Sequence, residues 1–180
     1  EAGLTDWVDK LNYTNTREYV FNGFLFSTEF ARRCAASGIH IGNAIETPDA
    51  TDAWQMNVQI LALCNEQRQN NGLEKLMTRE DLWEQVAQVR AGEIVNYFSH
   101  TRPNGSSCFS LYDEAGLDYR AAGENIAAGY YGASAVVDGW MNSTGHRANI
   151  LSESYDYLAT GYATGGAYGT NYCQNFLGDW

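Results

Sequence analysis

The feature that most constrains this chain lies near its C-terminus. Two apolar runs, Tyr157–Thr164 and Tyr168–Phe176, flank Gly165-Gly166 and read as a β-hairpin. A lone hairpin is marginal in water, so it needs further strands and a helical cover. Glu124–Ala127 reads as one more short strand. The rest is helical in period. Trp54, Val58, Leu61 and Asn65 mark one helix face that stops near Asn70-Asn71-Gly72. Thr78-Arg79-Glu80-Asp81 reads as an N-cap followed by acids. Leu82, Val86 and Val89, beside Ala87, Ala91 and Ile94, carry that second helix to about Tyr97. Residues 99–121 read as a long loop around Pro103-Asn104-Gly105. A third helix is predicted over Ser134–Asn142, and a short helical turn over Arg147–Leu151.

The fold class that satisfies this order is α+β: an α-β-α sandwich with a small, mostly antiparallel sheet, plus a short helical N-terminal extension. Residues 1–40 form the extension, a partial repeat-like domain. Turn formers and acids make 41–52 a linker, and 53–180 is the main domain. A piece of 40 residues is too small to hold a core alone. The chain begins at Glu1 rather than Met. A missing upstream segment is therefore expected, and export is not excluded.

Charge narrows the partners. Twenty-two acidic residues against 11 basic give a net charge of −11, which disfavours nucleic acid. No apolar run approaches the ~18 residues that a membrane span needs. Four cysteines (Cys34, Cys64, Cys108, Cys173) allow one or two disulfides or stay as buried free thiols, and their spacing excludes a zinc ribbon.

There are three histidines. His40 falls in the linker and reads as solvated. His100 and His146 each follow a helix beside a glycine-containing turn, and Glu124 opens the first strand. Taken singly, these are ordinary surface groups. Together, two imidazoles and a carboxylate form a known catalytic-zinc set with an open fourth position. Their separations match no local metal motif of the H-E-x-x-H kind.

Three ordered motifs change that picture. They are Phe98-Ser99-His100-Thr101-Arg102-Pro103-Asn104-Gly105, Gly123-Glu124-Asn125-Ile126-Ala127, and Trp140 through Leu151 with Gly145-His146-Arg147 at its centre. They resemble bacterial members of the CAP superfamily, which groups cysteine-rich secretory proteins, antigen 5 and pathogenesis-related proteins. The resemblance covers residues 53–180. It implies a wide cleft whose paired histidines and glutamates hold a divalent metal, zinc or another. His100, Glu124 and His146 match three of those four groups. Their implied roles are metal ligands and, if the protein is an enzyme, catalytic residues. Many eukaryotic members carry a second glutamate three residues after the helix tryptophan; here Ser143 stands there. The shared site would place both imidazoles on one cleft wall with Glu124 adjacent.

The first 40 residues resemble the end of a small helical domain of unknown function found in bacterial surface proteins. That implies a larger surface protein, extracellular or associated with the cell envelope. In such a setting Cys108 and Cys173 are expected to approach one another and pin the His100 loop. Cys34 and Cys64 would then pair, or stay free. Tyrosines such as Tyr130, Tyr131, Tyr155, Tyr162, Tyr168 and Tyr172 line a ligand groove or cover half-exposed faces. Two functions follow from the resemblance. One is a binding module whose cleft takes a peptide, glycan or lipid. The alternative is a metal-dependent hydrolase using His100, His146 and Glu124. A structural surface domain with a relic cleft is a third reading.

Overall fold

The computed structural model describes residues 53–180. The expected extension 1–40 and linker 41–52, with Cys34 and His40, lie outside the described residues.

Helix α1 spans Ala53–Asn70 and ends on Gly72, whose φ of 74° only glycine adopts freely. Its polar residues Asn57, Asn65 and Arg68 are buried and tie it to other segments. Asn65 exchanges two hydrogen bonds with the backbone of Leu76, at 2.8 and 2.9 Å. The Arg68 guanidinium donates to the carbonyls of Glu74, Ile150 and Ser152.

Helix α2 is three contiguous pieces: Glu80–Leu82, a π-helical turn Trp83–Ala87, and Gln88–Ile94. It ends three residues before the predicted Tyr97. Thr78 is not its cap. The extended residue Arg79 is, and Asp81 Oδ1 accepts from the N–H of Leu82 at 2.7 Å. Thr78 Oγ1 is instead the acceptor for Asn57 Nδ2. The predicted long loop 99–121 contains a short helix α3, Ser110–Glu114, and a bridge between Thr101 and Ser107. Helices α4, Ala133–Met141, and α5, Thr144–Ile150, follow the two predicted later segments within a few residues.

The sheet has three strands: β1, Ala121–Ala128; β2, Tyr157–Gly165; and β3, Gly169–Gly178. All pairings are antiparallel and the order is β1-β3-β2. The hairpin forms where predicted. Alternation along the central strand splits the core. Tyr172 and Phe176 face α1, α4 and α5 with Met56, Ile60, Val136, Trp140 and Ile150. Leu177 faces α2 and α3 with Leu82, Val86, Leu111 and Tyr112; Cys173 meets Ala91 and Ile94. Of the expected groove tyrosines, Tyr162 and Tyr172 are therefore core residues. Tyr130, Tyr131 and Tyr168 are the exposed ones.

The outer edge of β2 is closed. Leu158 N–H donates to Met77 O. Thr160 N–H donates to Asn57 Oδ1, and Thr160 O accepts from Trp83 Nε1. The side-chain amide of Gln88 meets both main-chain groups of Tyr162. A capped edge of this kind resists pairing with a further strand.

Candidate functional site

Glu124 sits midway along β1 with its side chain only 1% exposed. Arg90, on α2 and fully buried, grips it: Nε meets Oε2 at 2.8 Å and Nη2 meets Oε1 at 3.2 Å. The remaining guanidinium hydrogens go to Glu93 Oε2 and the Ser99 carbonyl, each at 2.6 Å. Burial by itself would push the Glu124 carboxyl up. Hydrogen bonds from His100 and Arg90, with Arg90's charge, outweigh it and hold the carboxyl below its usual range.

His100 is carried by the loop after α2 and is 58% exposed. Its Nδ1 lies 2.8 Å from Glu124 Oε1. A carboxylate only accepts, so Nδ1 carries a proton, and in the neutral ring Nε2 is the nitrogen with the free lone pair. The loop is braced one turn further on. Arg102, 8% exposed, spans Glu93 and Glu114 at 2.8 and 2.6 Å.

His146 comes from α5. Its backbone carbonyl accepts from Asn125 Nδ2 at 3.1 Å. Asn125 Nδ2 also meets Gln174 Oε1 at 3.0 Å, and Asn125 Oδ1 accepts from Asn149 Nδ2 at 2.8 Å. Gln174 in turn donates to the thiol of Cys64. Burial first, and then the neighbouring His100, hold the His146 imidazole below its usual pKa. Two histidines are thus tied to adjacent residues of one edge strand: the His100 imidazole to the Glu124 side chain, and the His146 backbone carbonyl to Asn125. Successive strand side chains point to opposite faces, so the two anchors reach the edge from opposite sides. Ser143, where a second glutamate was sought, is the N-cap of α5. In an NMR titration His146 is expected to change charge below the ordinary histidine midpoint of about 6.5 and to be neutral at pH 7. A midpoint at or above that value would contradict this placement.

The expected link between Cys108 and Cys173 is not made. All three described cysteines are free and buried. The Cys173 thiol turns instead to Glu124, its Sγ 3.3 Å from Oε2; Cys108 is buried close enough to feel the same carboxylate charge. Burial, and then the Glu124 charge, push the Cys108 thiol up to about 11 and hold that of Cys173 well above its ordinary value. Both are therefore protonated thiols near neutral pH, not nucleophiles.

Each Glu124 oxygen is thereby engaged, Oε1 by His100 and Arg90, Oε2 by Arg90 and Cys173. Among the described residues no group of three or more His, Cys, Asp or Glu side chains is arranged to hold a metal ion. The three-residue ligand set does not fit a metal as built, because its carboxylate is already committed; the two imidazoles remain. Arg90, Glu93, Arg102 and Gln174 were given no role at the site by the sequence. Arg90 had a signal: it interrupts the apolar series Leu82, Val86, Ile94 at i+8.

Similar proteins agree on this architecture. The family described as CAP, cysteine-rich secretory protein family, matches residues 61–176. An uncharacterized Bacillus subtilis (strain 168) protein, YkwD, is 33% identical over 150 residues, 82% of this chain and 56% of its own. A solved extracellular protein containing an SCP domain, from Bacillus anthracis, superposes with a TM-score of 0.61 at 33% identity. That match covers 73% of this chain and 44% of the other. An outer surface protein of Borrelia burgdorferi shares the fold at 17% identity, with a TM-score of 0.63 over 73% of this chain and 96% of its own. The chain thus spans about half the length of the first two relatives. No helix among the described residues is long and apolar enough to cross a membrane.

Proposed function

This chain belongs to the CAP, or cysteine-rich secretory protein, family, and from that premise we propose that it is an exported binding module. Its cleft at the β1 edge presents His100 and His146 to a peptide, glycan or lipid. It works at the cell surface as part of a larger protein. The extracellular or surface character of its structural neighbours supports the location.

One observation carries the choice of binding over hydrolysis. Glu124 is saturated by Arg90, His100 and a thiol, and its carboxyl is held low. A general base needs a free lone pair within reach of the proton it takes, and a metal ligand needs one free for the ion. Glu124 offers neither. It acts as a positioning residue that fixes the His100 tautomer and aims Nε2 outward. A divalent ion here would rest on two imidazoles alone, too few for a structural or catalytic zinc site.

The test pairs zinc calorimetry with NMR of the imidazoles. Three probes are used: a casein digest, soluble chitin oligosaccharides and a short-chain phosphatidylcholine. At least one probe is expected to move the His100 and His146 resonances, with no zinc-dependent turnover of casein. Stoichiometric zinc binding and casein hydrolysis, both lost in a His100→Ala, His146→Ala variant, would establish the hydrolase instead. Imidazoles unmoved by all three probes would end the cleft reading.

A further inference from the structure

The two edges of the sheet are treated differently. Leu158, Thr160 and Tyr162 bond outward, so in the β2–β3 register it is the odd-numbered residues that hydrogen-bond each other, and the even-numbered residues of β3 turn to the odd-numbered residues of β1. The bond from Gly129 N–H to Thr170 O extends that parity beyond the strand. Hence Ala122, Glu124, Ile126 and Ala128 turn their main-chain groups away from the sheet. On β2 the corresponding outward groups of Leu158, Thr160 and Tyr162 are met by Met77, Asn57, Trp83 and Gln88.

On β1 the cover is partial. Ala122 O accepts from Tyr155 Oη at 3.3 Å, and Glu124 O from Asn149 Nδ2 at 3.4 Å. No hydrogen bond among the described residues reaches Glu124 N–H, or the N–H and C=O of Ile126 and Ala128. These groups follow one another along the strand whose Glu124 and Asn125 hold His100 and His146. Unpaired main-chain groups are costly away from water, so they demand solvent or a partner. The segment carries no proline and no lysine to discourage pairing.

We propose that the β1 edge is a strand-addition site, where an extended, cationic polypeptide pairs with the outward main-chain groups of Glu124, Ile126 and Ala128 and so passes between His100 and His146. This names the ligand class for the cleft and rests on the binding reading above. A peptide is the fitting occupant because outward donors and acceptors recur every second residue along the edge, the repeat of another main chain. The charge of −11 favours a basic partner. Phe98, 44% exposed, leads into the His100 loop and packs edge-on against Tyr168, 58% exposed, with ring centres 5.9 Å apart. These rings offer apolar contacts for the side chains of the added strand.

Amide hydrogen exchange, read by NMR with a ten-residue peptide of alternating lysine and threonine as probe, tests the proposal. In the free chain the amides of Ile126 and Ala128 are expected to exchange fast, while those of Thr160 and Tyr162 stay protected. Saturating probe is expected to slow Ile126 and Ala128 by about tenfold or more. An Ala128→Pro variant removes an outward N–H and leaves the β1–β3 ladder intact, since proline is tolerated on an edge. It is expected to bind at least about tenfold more weakly. The exchange result in the unaltered chain decides the matter even if that variant fails to fold. Three outcomes would overturn the proposal. Edge amides protected before probe is added would show the edge already closed. Imidazole shifts without edge protection would leave the binding reading standing and remove this one. Protection that grows with protein concentration alone would make the partner a second copy of the chain.

Discussion

Arg90→Met is expected to cost about 3–5 kcal/mol of folding stability, because it strands a buried carboxylate. The guanidinium is fully buried, its partner Glu124 is 1% exposed, and Glu93 and the Ser99 carbonyl lose a donor at the same time. The intact pair need not be strongly stabilising by itself, since desolvating both ions offsets much of their attraction. Removing one ion alone is what costs. Glu124→Gln in the Arg90→Met background should therefore recover part of the loss, with a coupling of roughly 1–3 kcal/mol in a double-mutant cycle. Additive single effects would mean that the two side chains are not coupled.

The same pair dictates a change of sign with pH. In the parent chain the Glu124 carboxyl is lower when folded than when unfolded. It therefore contributes stability above the unfolded value of about 4.3 and loses it as pH falls through the lower folded value. Without Arg90, burial dominates and raises the folded pKa above the unfolded one. The Arg90→Met chain should then regain stability as pH is lowered from 7 toward 5, where the parent does not. Denaturant melts at both pH values check this. A deficit that stays constant would show that Glu124 remains ionised and solvated after the change.

What was legible in the sequence divides along physical lines. The β2–β3 hairpin was readable because strand propensity and a glycine pair act locally. Helices α1 and α4 were readable from period and stop signals; of α5 only the turn from Arg147 was foreseen, and its first residues, Thr144 and Gly145, were not. The Thr78 cap misled because a hydroxyl suited to capping was taken by Asn57, 21 residues away. Helix α3 was missed because five residues are too few to show a period. The imidazole–carboxylate set was found by motif resemblance, since no spacing rule joins residues on a loop, a strand and a helix. What Glu124 does there was not readable. Its role depends on Arg90, 34 residues earlier, and on the Cys173 thiol, which was expected to approach Cys108 instead. The unequal edges were also hidden. Nothing in Ala121–Ala128 announces which strands leave an edge uncapped; that follows from strand order and from where Asn57, Trp83 and Gln88 happen to reach.

Gly161→Ala is expected to abolish stable folding or cost upward of about 3 kcal/mol, at or beyond the upper end of ordinary overpacking. A Cβ at Gly161 would stand 1.9 Å from the Ala87 carbonyl oxygen and 2.4 Å from its carbon. Those are backbone atoms at the end of the π-helical turn, so no rotamer change can relieve them. Strand and helix would have to separate, and the separation would propagate. The hydrogen bonds from Trp83 to Thr160 and between Gln88 and Tyr162 cross the same contact. They cap the β2 edge, so their loss would expose it as well. The control lies in the same helix. Gly92 is exposed, and a Cβ there meets nothing within 4 Å. Gly92→Ala should therefore stabilise by about 0.5–1 kcal/mol through helix propensity and a less free unfolded chain. One substitution type at two positions of one helix–strand layer thus predicts effects of opposite sign, measurable by thermal or denaturant melts. A Gly161→Ala chain as stable as the parent would mean that α2 does not rest directly on β2. The positioning of Glu124 by Arg90 from that helix would then need another explanation.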